Sequence, residues 1–157
     1  MYQRILIATD GSKTSEPALL EAIRLARDLN ARLRVVYVVD EAYILGGAEF
    51  VDRTTIEKAW VKTGQQALER ARQAAGAEHI AMETRLLETE VLGENVADAI
   101  IQEARHWPAD LIVMGTHGRK GLRHLLLRSI AEGVMRASPV PILLVPVAVA
   151  RPQDHGL

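Results

Sequence analysis

Ile5-Leu6-Ile7-Ala8-Thr9-Asp10-Gly11-Ser12 is a short apolar run that stops on a cluster of turn-forming residues. Consecutive apolar positions, partly β-branched, fit a strand buried on both faces, and the Thr-Asp-Gly-Ser that follows fits a loop. Downstream, Ser15-Glu16-Pro17 has the form of a helix start. Ser15 is the candidate N-cap, and Pro17 is tolerated in the first turn because its missing N–H would be unpaired there anyway. Leu19, Leu20, Ile23, Ala26 and Leu29 then recur at helical spacing, with Glu21, Arg24, Arg27 and Asp28 on the other face. Strand, loop and helix in this order form the opening half of a βαβ unit.

The rest of the chain repeats the alternation. Arg32 to Val39 starts with alternating polarity and becomes a continuous apolar run, as a strand covered on both faces requires. Asp40 to Thr54, with Gly46-Gly47 and no period, reads as a long loop; Thr55 to Ala75 is helix-friendly, with Gly76 as the stop. Ile80 to Leu87 is a third, more polar strand, and Val96, Ala97, Ile100, Ile101 and Ala104 mark a helix preceded by Glu94-Asn95. Leu111 to Met114 is a fourth strand closed by Gly115, Ser129 to Ala137 a helix, and Pro141 to Val145 a fifth strand. Right-handed βαβ units at these lengths predict an α/β fold: one open, parallel, five-stranded, Rossmann-like sheet with helices on both faces. No repeat and no internal domain boundary is visible, which gives one domain over residues 1–150 and a C-terminal tail over 151–157. In open sheets of this kind ligands bind beyond the carboxyl ends of the strands where the strand order reverses. The loops to read therefore begin at Thr9-Asp10, Val39-Asp40 and Gly115-Thr116.

Composition narrows the function. At 157 residues, 48% hydrophobic and 25% charged, the chain is that of one folded domain, and the absence of cysteine excludes disulfides, thiolate nucleophiles and thiolate metal sites. The N-terminus lacks an apolar signal region and no stretch approaches a membrane span, so a cytoplasmic protein without membrane insertion is expected. Lys+Arg 19 against Asp+Glu 20 gives a net charge of -1, and aromatics are 4%; neither favours DNA or single-stranded nucleic acid as a partner.

One segment departs from that neutrality. From Gly115 to Ser129 the chain carries glycines at 115, 118 and 121, and between Arg119 and Arg128 four positive charges (Arg119, Lys120, Arg123, Arg128) with no acid. Successive N–H groups made accessible by glycine form an anion-binding concavity, and a helix beginning at Ser129 would add a hydroxyl and its positive end. The other reading is a plain turn with a solvated basic face, and spacing does not choose between them. The G-x-G-x-x-G fingerprint is absent from the first turn, and Lys120 precedes its glycine, so this is not the usual phosphate loop either. Asp10 suits a magnesium ion bridging phosphates, or a turn that it caps through its own backbone. His117 and His124 lack a third ligand, and Ser12 and Ser15 lack a histidine base, so no catalytic group is assigned. Trp60 and Trp107 are expected to shield core edges.

The start Ile5 to Ser12, the strand end Val36-Tyr37-Val38-Val39-Asp40, the turn Asp110-Leu111-Ile112-Val113-Met114-Gly115-Thr116-His117-Gly118 and the closing Ser138-Pro139-Val140-Pro141-Ile142-Leu143-Leu144-Val145 together resemble the universal stress protein family. The resemblance covers nearly the whole chain. It implies the adenine nucleotide alpha hydrolase-like form of the fold, a cytoplasmic stress-linked role and a homodimer. Its ATP-binding branch carries G-x-x-G, nine residues, then G-[ST]; Gly115 and Gly118 match the first pair and Ser129 the last position, while Arg128 stands where the motif has glycine. By resemblance Asp10 contacts the nucleotide, Val38 lies by the adenine, and Gly115, Gly118 and Ser129 face the ribose and phosphates. An Arg128 side chain can obstruct the phosphates or run along them as a bidentate donor.

Three readings follow. The first is a regulator that binds an adenine nucleotide, ATP or AMP, with Mg2+ at Asp10, and passes its state to a regulatory protein partner. The second is a dimeric interaction module that binds no nucleotide. The third is a slow ATP hydrolase, which would need a placed water and a base that the sequence does not show.

Overall fold

The computed structural model describes residues 1–40, 52–89, 93–116 and 124–147, with the side chains of 124–129 excepted. Nine elements alternate along it: β1 (Arg4–Ala8), α1 (Glu16–Leu29), β2 (Arg32–Val39), α2 (Arg53–Gly76), β3 (Met82–Glu88), α3 (Val96–His106), β4 (Leu111–Gly115), α4 (His124–Ala137) and β5 (Ile142–Val145). The five strands form one sheet in the order β3-β2-β1-β4-β5. Every pairing is parallel, β1 lying against β2 from Arg4↔Arg32 to Ala8↔Val36 and against β4 from Ile5↔Leu111 to Ile7↔Val113. The expected α/β architecture is therefore what forms, and the order reverses between β1 and β4.

The unbroken apolar runs are explained by layers on both sides of the sheet. Ile5, Ile7, Leu33, Val35, Tyr37, Val39, Leu111 and Val113 face α1 and α2, while Leu6, Val36, Ile112 and Met114 face α3 and α4. With strand side chains alternating, a sheet covered twice requires apolar residues at consecutive positions. The helices answer with small residues: Ala18, Ala22 and Ala26 of α1 and Ala67, Ala71 and Ala75 of α2 are buried, which lets their backbones lie close to the sheet. Gly64 of α2 does so most tightly. A Cβ there would stand 2.6 Å from Leu86 Cδ1 and 2.7 Å from Tyr37 Cδ1.

Helix boundaries differ from expectation in instructive ways. Ser15 is the N-cap of α1, but its side chain makes no cap bond; its hydroxyl donates to the Ser12 carbonyl at 2.8 Å instead. α2 begins at Arg53 because the Asp52 side chain accepts from Thr54 N–H at 3.3 Å, a local signal that the loop reading missed. α3 has a capping box, Asn95 accepting from Asp98 N–H at 2.9 Å and Asp98 accepting from Asn95 N–H at 3.2 Å. α4 starts at His124 rather than Ser129. Leu and Arg are strong helix formers, and Leu125 to Arg128 extend the helix backward, so Ser129 sits more than a turn inside it and not at its positive end. The expected long loop falls mostly on residues 41–51, and the expected tail on 151–157, both outside the described residues.

At the amino end of the sheet a charged cluster is enclosed. Arg34, third in β2, points toward α3, where its Nη1 pairs with Glu103 and its Nη2 lies 3.0 Å from Glu83 of β3. Trp107 Nε1 donates to Glu83 at 2.6 Å, and the guanidinium carbon lies 4.8 Å from the centroid of the Trp107 ring. Glu103 is only 6% exposed, and Arg85 reaches it at 3.5 Å. Burying that carboxylate is tolerable because cations and hydrogen-bond donors surround it. Among the described residues no helix is long and apolar enough to cross a membrane.

Candidate functional site

The crevice where the strand order reverses is bounded by the chain leaving β1 and the chain leaving β4. Ile7 pairs with Val113, so two residues onward Thr9 comes level with Gly115; Ala8 pairs with Val36, so Asp10 comes level with Val38. The fold thus gathers Asp10, Val38 and Gly115 at one edge of the sheet, from positions far apart in sequence. Gly115 still belongs to β4, opposite Val145, and Thr116 N–H donates to the Val145 carbonyl at 3.1 Å. Gly118 lies outside the described residues, and of Arg128 and Ser129 the structure gives the helical backbone alone.

The turn after β1 is built almost wholly from hydroxyls. Thr9 N–H donates to the Val36 carbonyl at 3.0 Å, carrying the sheet pattern one residue past β1. Gly11 N–H then donates to Thr9 Oγ1 at 3.1 Å, and Asp10 Oδ1 accepts from Ser12 N–H at 2.9 Å and from Ser12 Oγ at 2.5 Å. One proton per hydroxyl fixes the rest. Ser12 Oγ gives its proton to Asp10, so the 3.0 Å bond to Thr14 Oγ1 is donated by Thr14. Ser15 Oγ gives its proton to the Ser12 carbonyl, so the 3.0 Å bond to Thr9 Oγ1 is donated by Thr9. Ser12 thus orients the half-buried Asp10 carboxylate, while Ser15 ties Thr9 to the Ser12 carbonyl. Four hydroxyl residues within Thr9 to Ser15 were visible in the sequence, but not which of them bonds which.

Gly11 is required twice over. Its φ of +75° is a left-handed conformation, and a Cβ there would stand 2.9 Å from the Ala67 Cβ of α2. From α2, Arg70 Nη2 donates to the Gly11 carbonyl at 3.2 Å. Arg70 is a site-edge residue that sequence reasoning missed, because 59 residues separate the partners.

Magnesium fits this donor set in a limited sense. The ion is held as a rule by one or two carboxylates together with phosphate and water oxygens, and Asp10 is a carboxylate of that kind. Among the described residues no group of three or more His, Asp or Glu side chains forms a metal cage. An ion here would depend on its phosphates.

A parallel sheet covered on both faces, with its strand order reversing between β1 and β4, is that of a doubly wound α/β protein. The family model described as "Universal stress protein family" matches residues 1–146, and the chain belongs to that family. A universal stress protein of Methanocaldococcus jannaschii is 34% identical over 145 residues, spanning 92% of this chain and 82% of its own length. A crystal structure of a family protein from Burkholderia pseudomallei, 34% identical, superposes with a TM-score of 0.74 over 92% of this chain and 96% of its own. A universal stress protein solved in complex with cAMP, 26% identical, superposes with a TM-score of 0.66 over 94% of this chain and 98% of its own.

Proposed function

We propose that the chain is a regulatory protein that binds an adenine nucleotide, ATP or AMP, in the crevice between the ends of β1 and β4. The observation that carries this reading is the convergence of Asp10, Val38 and Gly115 on the switch point, with Asp10 held in place by Ser12. A structural relative in complex with cAMP supports an adenine nucleotide as the ligand class. In this reading Val38 offers an apolar wall to the base, and Gly115, Gly118 and Ser129 border the ribose and phosphates. Asp10 would give a carboxylate oxygen to Mg2+, which neutralises phosphate charge when bound. Binding would change the loops at the carboxyl edge, and so the surface offered to a protein partner in the cytoplasm.

Arg128 favours a second reading. It replaces the glycine of the ATP-binding branch within α4, and a chain that binds no nucleotide would act as a dimeric interaction module through its surface alone. Two measurements separate the readings. Protein purified from cells is denatured and its supernatant run on ion exchange for ATP, ADP and AMP. The wild type and Arg128→Gly are then titrated with ATP and magnesium in a calorimeter. Arg128→Gly is expected to bind ATP roughly 5- to 150-fold more tightly, as removal of an obstructing side chain lets the phosphates approach α4. Binding by neither protein would sink the nucleotide reading and leave the interaction module.

A further inference from the structure

The geometry points to Arg70 as a positioning residue that sets the affinity of the crevice without touching the ligand, an inference that rests on the nucleotide reading above. The turn from Thr9 to Ser15 is closed by bonds among its own side chains and between them and its backbone. Those bonds fix the shape of the turn; its tie to the α2 layer is made at Gly11. There Arg70 Nη2 donates to the carbonyl at 3.2 Å, and the glycine backbone lies so close to Ala67 that a methyl group would not fit. The next peptide N–H along from that carbonyl is the Ser12 N–H, which donates to Asp10 Oδ1 at 2.9 Å. Arg70 is thus bonded to one side of the Gly11–Ser12 peptide unit, and Asp10 to the other. Because a peptide unit is planar, a rotation that carries the carbonyl away from Arg70 carries the N–H away from Asp10. The guanidinium therefore helps, through that plane, to hold the carboxylate, which also accepts from Ser12 Oγ at 2.5 Å, in its binding orientation. A glycine at φ +75° makes that restraint necessary, since with no side chain its peptide rotates more freely than any other.

If only the held orientation is competent, the apparent dissociation constant rises as the competent fraction falls. Arg70→Ala is expected to weaken nucleotide binding by about 3- to 10-fold, the range that loss of one exposed, charge-assisted bond allows. The loss should be no greater than that of Asp10→Asn for either nucleotide, because the effect runs through that carboxylate and not through direct attraction to phosphate. Arg70→Lys, which keeps a donor on a long stem, should recover most of the affinity.

The experiment is a titration of wild type, Arg70→Ala, Arg70→Lys, Asp10→Asn and Arg70→Ala/Asp10→Asn with ATP and with AMP, alongside melting of each protein without ligand. Support consists of a loss no greater than that of Asp10→Asn for each nucleotide, a double variant no weaker than Asp10→Asn alone, and a ligand-free melting temperature for Arg70→Ala within about 3 °C of wild type. A loss that adds to that of Asp10→Asn for either nucleotide overturns the positioning role in favour of direct attraction. Wild-type binding that Arg70→Ala leaves unchanged overturns the role of Arg70 alone. Wild-type protein that binds neither nucleotide overturns the nucleotide reading itself, and the inference falls with it.

Discussion

Glu83 shows how one carboxylate is held by its surroundings. Burial pushes its pKa up, but the Arg34 hydrogen bond, the Trp107 N–H and the charges of Arg34 and Arg32 together outweigh burial and hold it below the ordinary value. A carboxylate depressed in the folded state adds stability that is fully present above its unfolded pKa and is lost as pH falls through the folded one. Glu83→Gln should therefore cost about 1 kcal/mol or less at pH 7, the side chain being 38% exposed and its ion pairs partly screened. The difference in denaturant midpoint should shrink as pH falls through the depressed pKa and vanish once the wild-type carboxyl is protonated too. Arg34 is enclosed more fully, so Arg34→Leu, which strips Glu103 of its closest cation, should cost about 2–4 kcal/mol in urea unfolding. Adding Glu103→Leu should return part of that loss, because two packed apolar groups replace an abandoned charge; a double variant less stable than Arg34→Leu would refute this. Neither effect was legible in the sequence. The alternating Arg32-Leu33-Arg34 marked polar positions in a strand, but the partners of Arg34 lie 49 and 69 residues away and only the sheet order brings them together.

Elements were legible where their signals are local. β2 was read with its observed bounds, and the capping residue before α3 was visible as Glu94-Asn95, because caps and apolar runs depend on neighbours in the chain. The start of α4 was not, since the glycines upstream favour a loop while Leu125-Leu126-Leu127-Arg128 favour helix, and the two signals meet without a capping residue between them. Close approach between elements is equally hidden, and two glycines of α2 separate it from propensity. Gly64→Ala gains helix propensity but drives a methyl group into Tyr37 and Leu86, so it should destabilise by about 1–2 kcal/mol. Gly76→Ala gains the same propensity and meets nothing within 4 Å, so it should stabilise by about 0.5–1 kcal/mol. Thermal melts shifting in the same direction for both variants would mean that packing at Gly64 is looser than its distances state. Asn95→Ala removes the reciprocal cap of α3 and should lower stability by about 1 kcal/mol, measured in the same way.

For the whole molecule, strand alternation and the continuous apolar runs made the doubly wound fold readable, since both follow from a sheet covered on two faces. The sheet edge that holds the candidate site was readable, but not its arrangement: Asp10, Val38 and Gly115 lie at or just beyond the ends of apolar runs that reach that edge, while the hydroxyl bonding and Arg70 depend on contacts that no local pattern encodes. β5 ends the sheet, and among the described residues its hydrogen-bonded neighbour is β4 alone. An edge strand followed by the apolar Pro146 to Ala150 invites pairing, and a two-fold dimer through this segment is the expected assembly. Light scattering that finds a monomer at micromolar concentration would refute it. The two layers have one more consequence. Trp60 packs into the layer of α1 and α2, and Trp107 into that of α3 and α4, so each side of the sheet carries its own fluorophore. With Trp60→Phe or Trp107→Phe the emission of the remaining indole follows one side at a time. Coincident midpoints would show that both sides come apart in one cooperative event, and separated midpoints would show which lets go first.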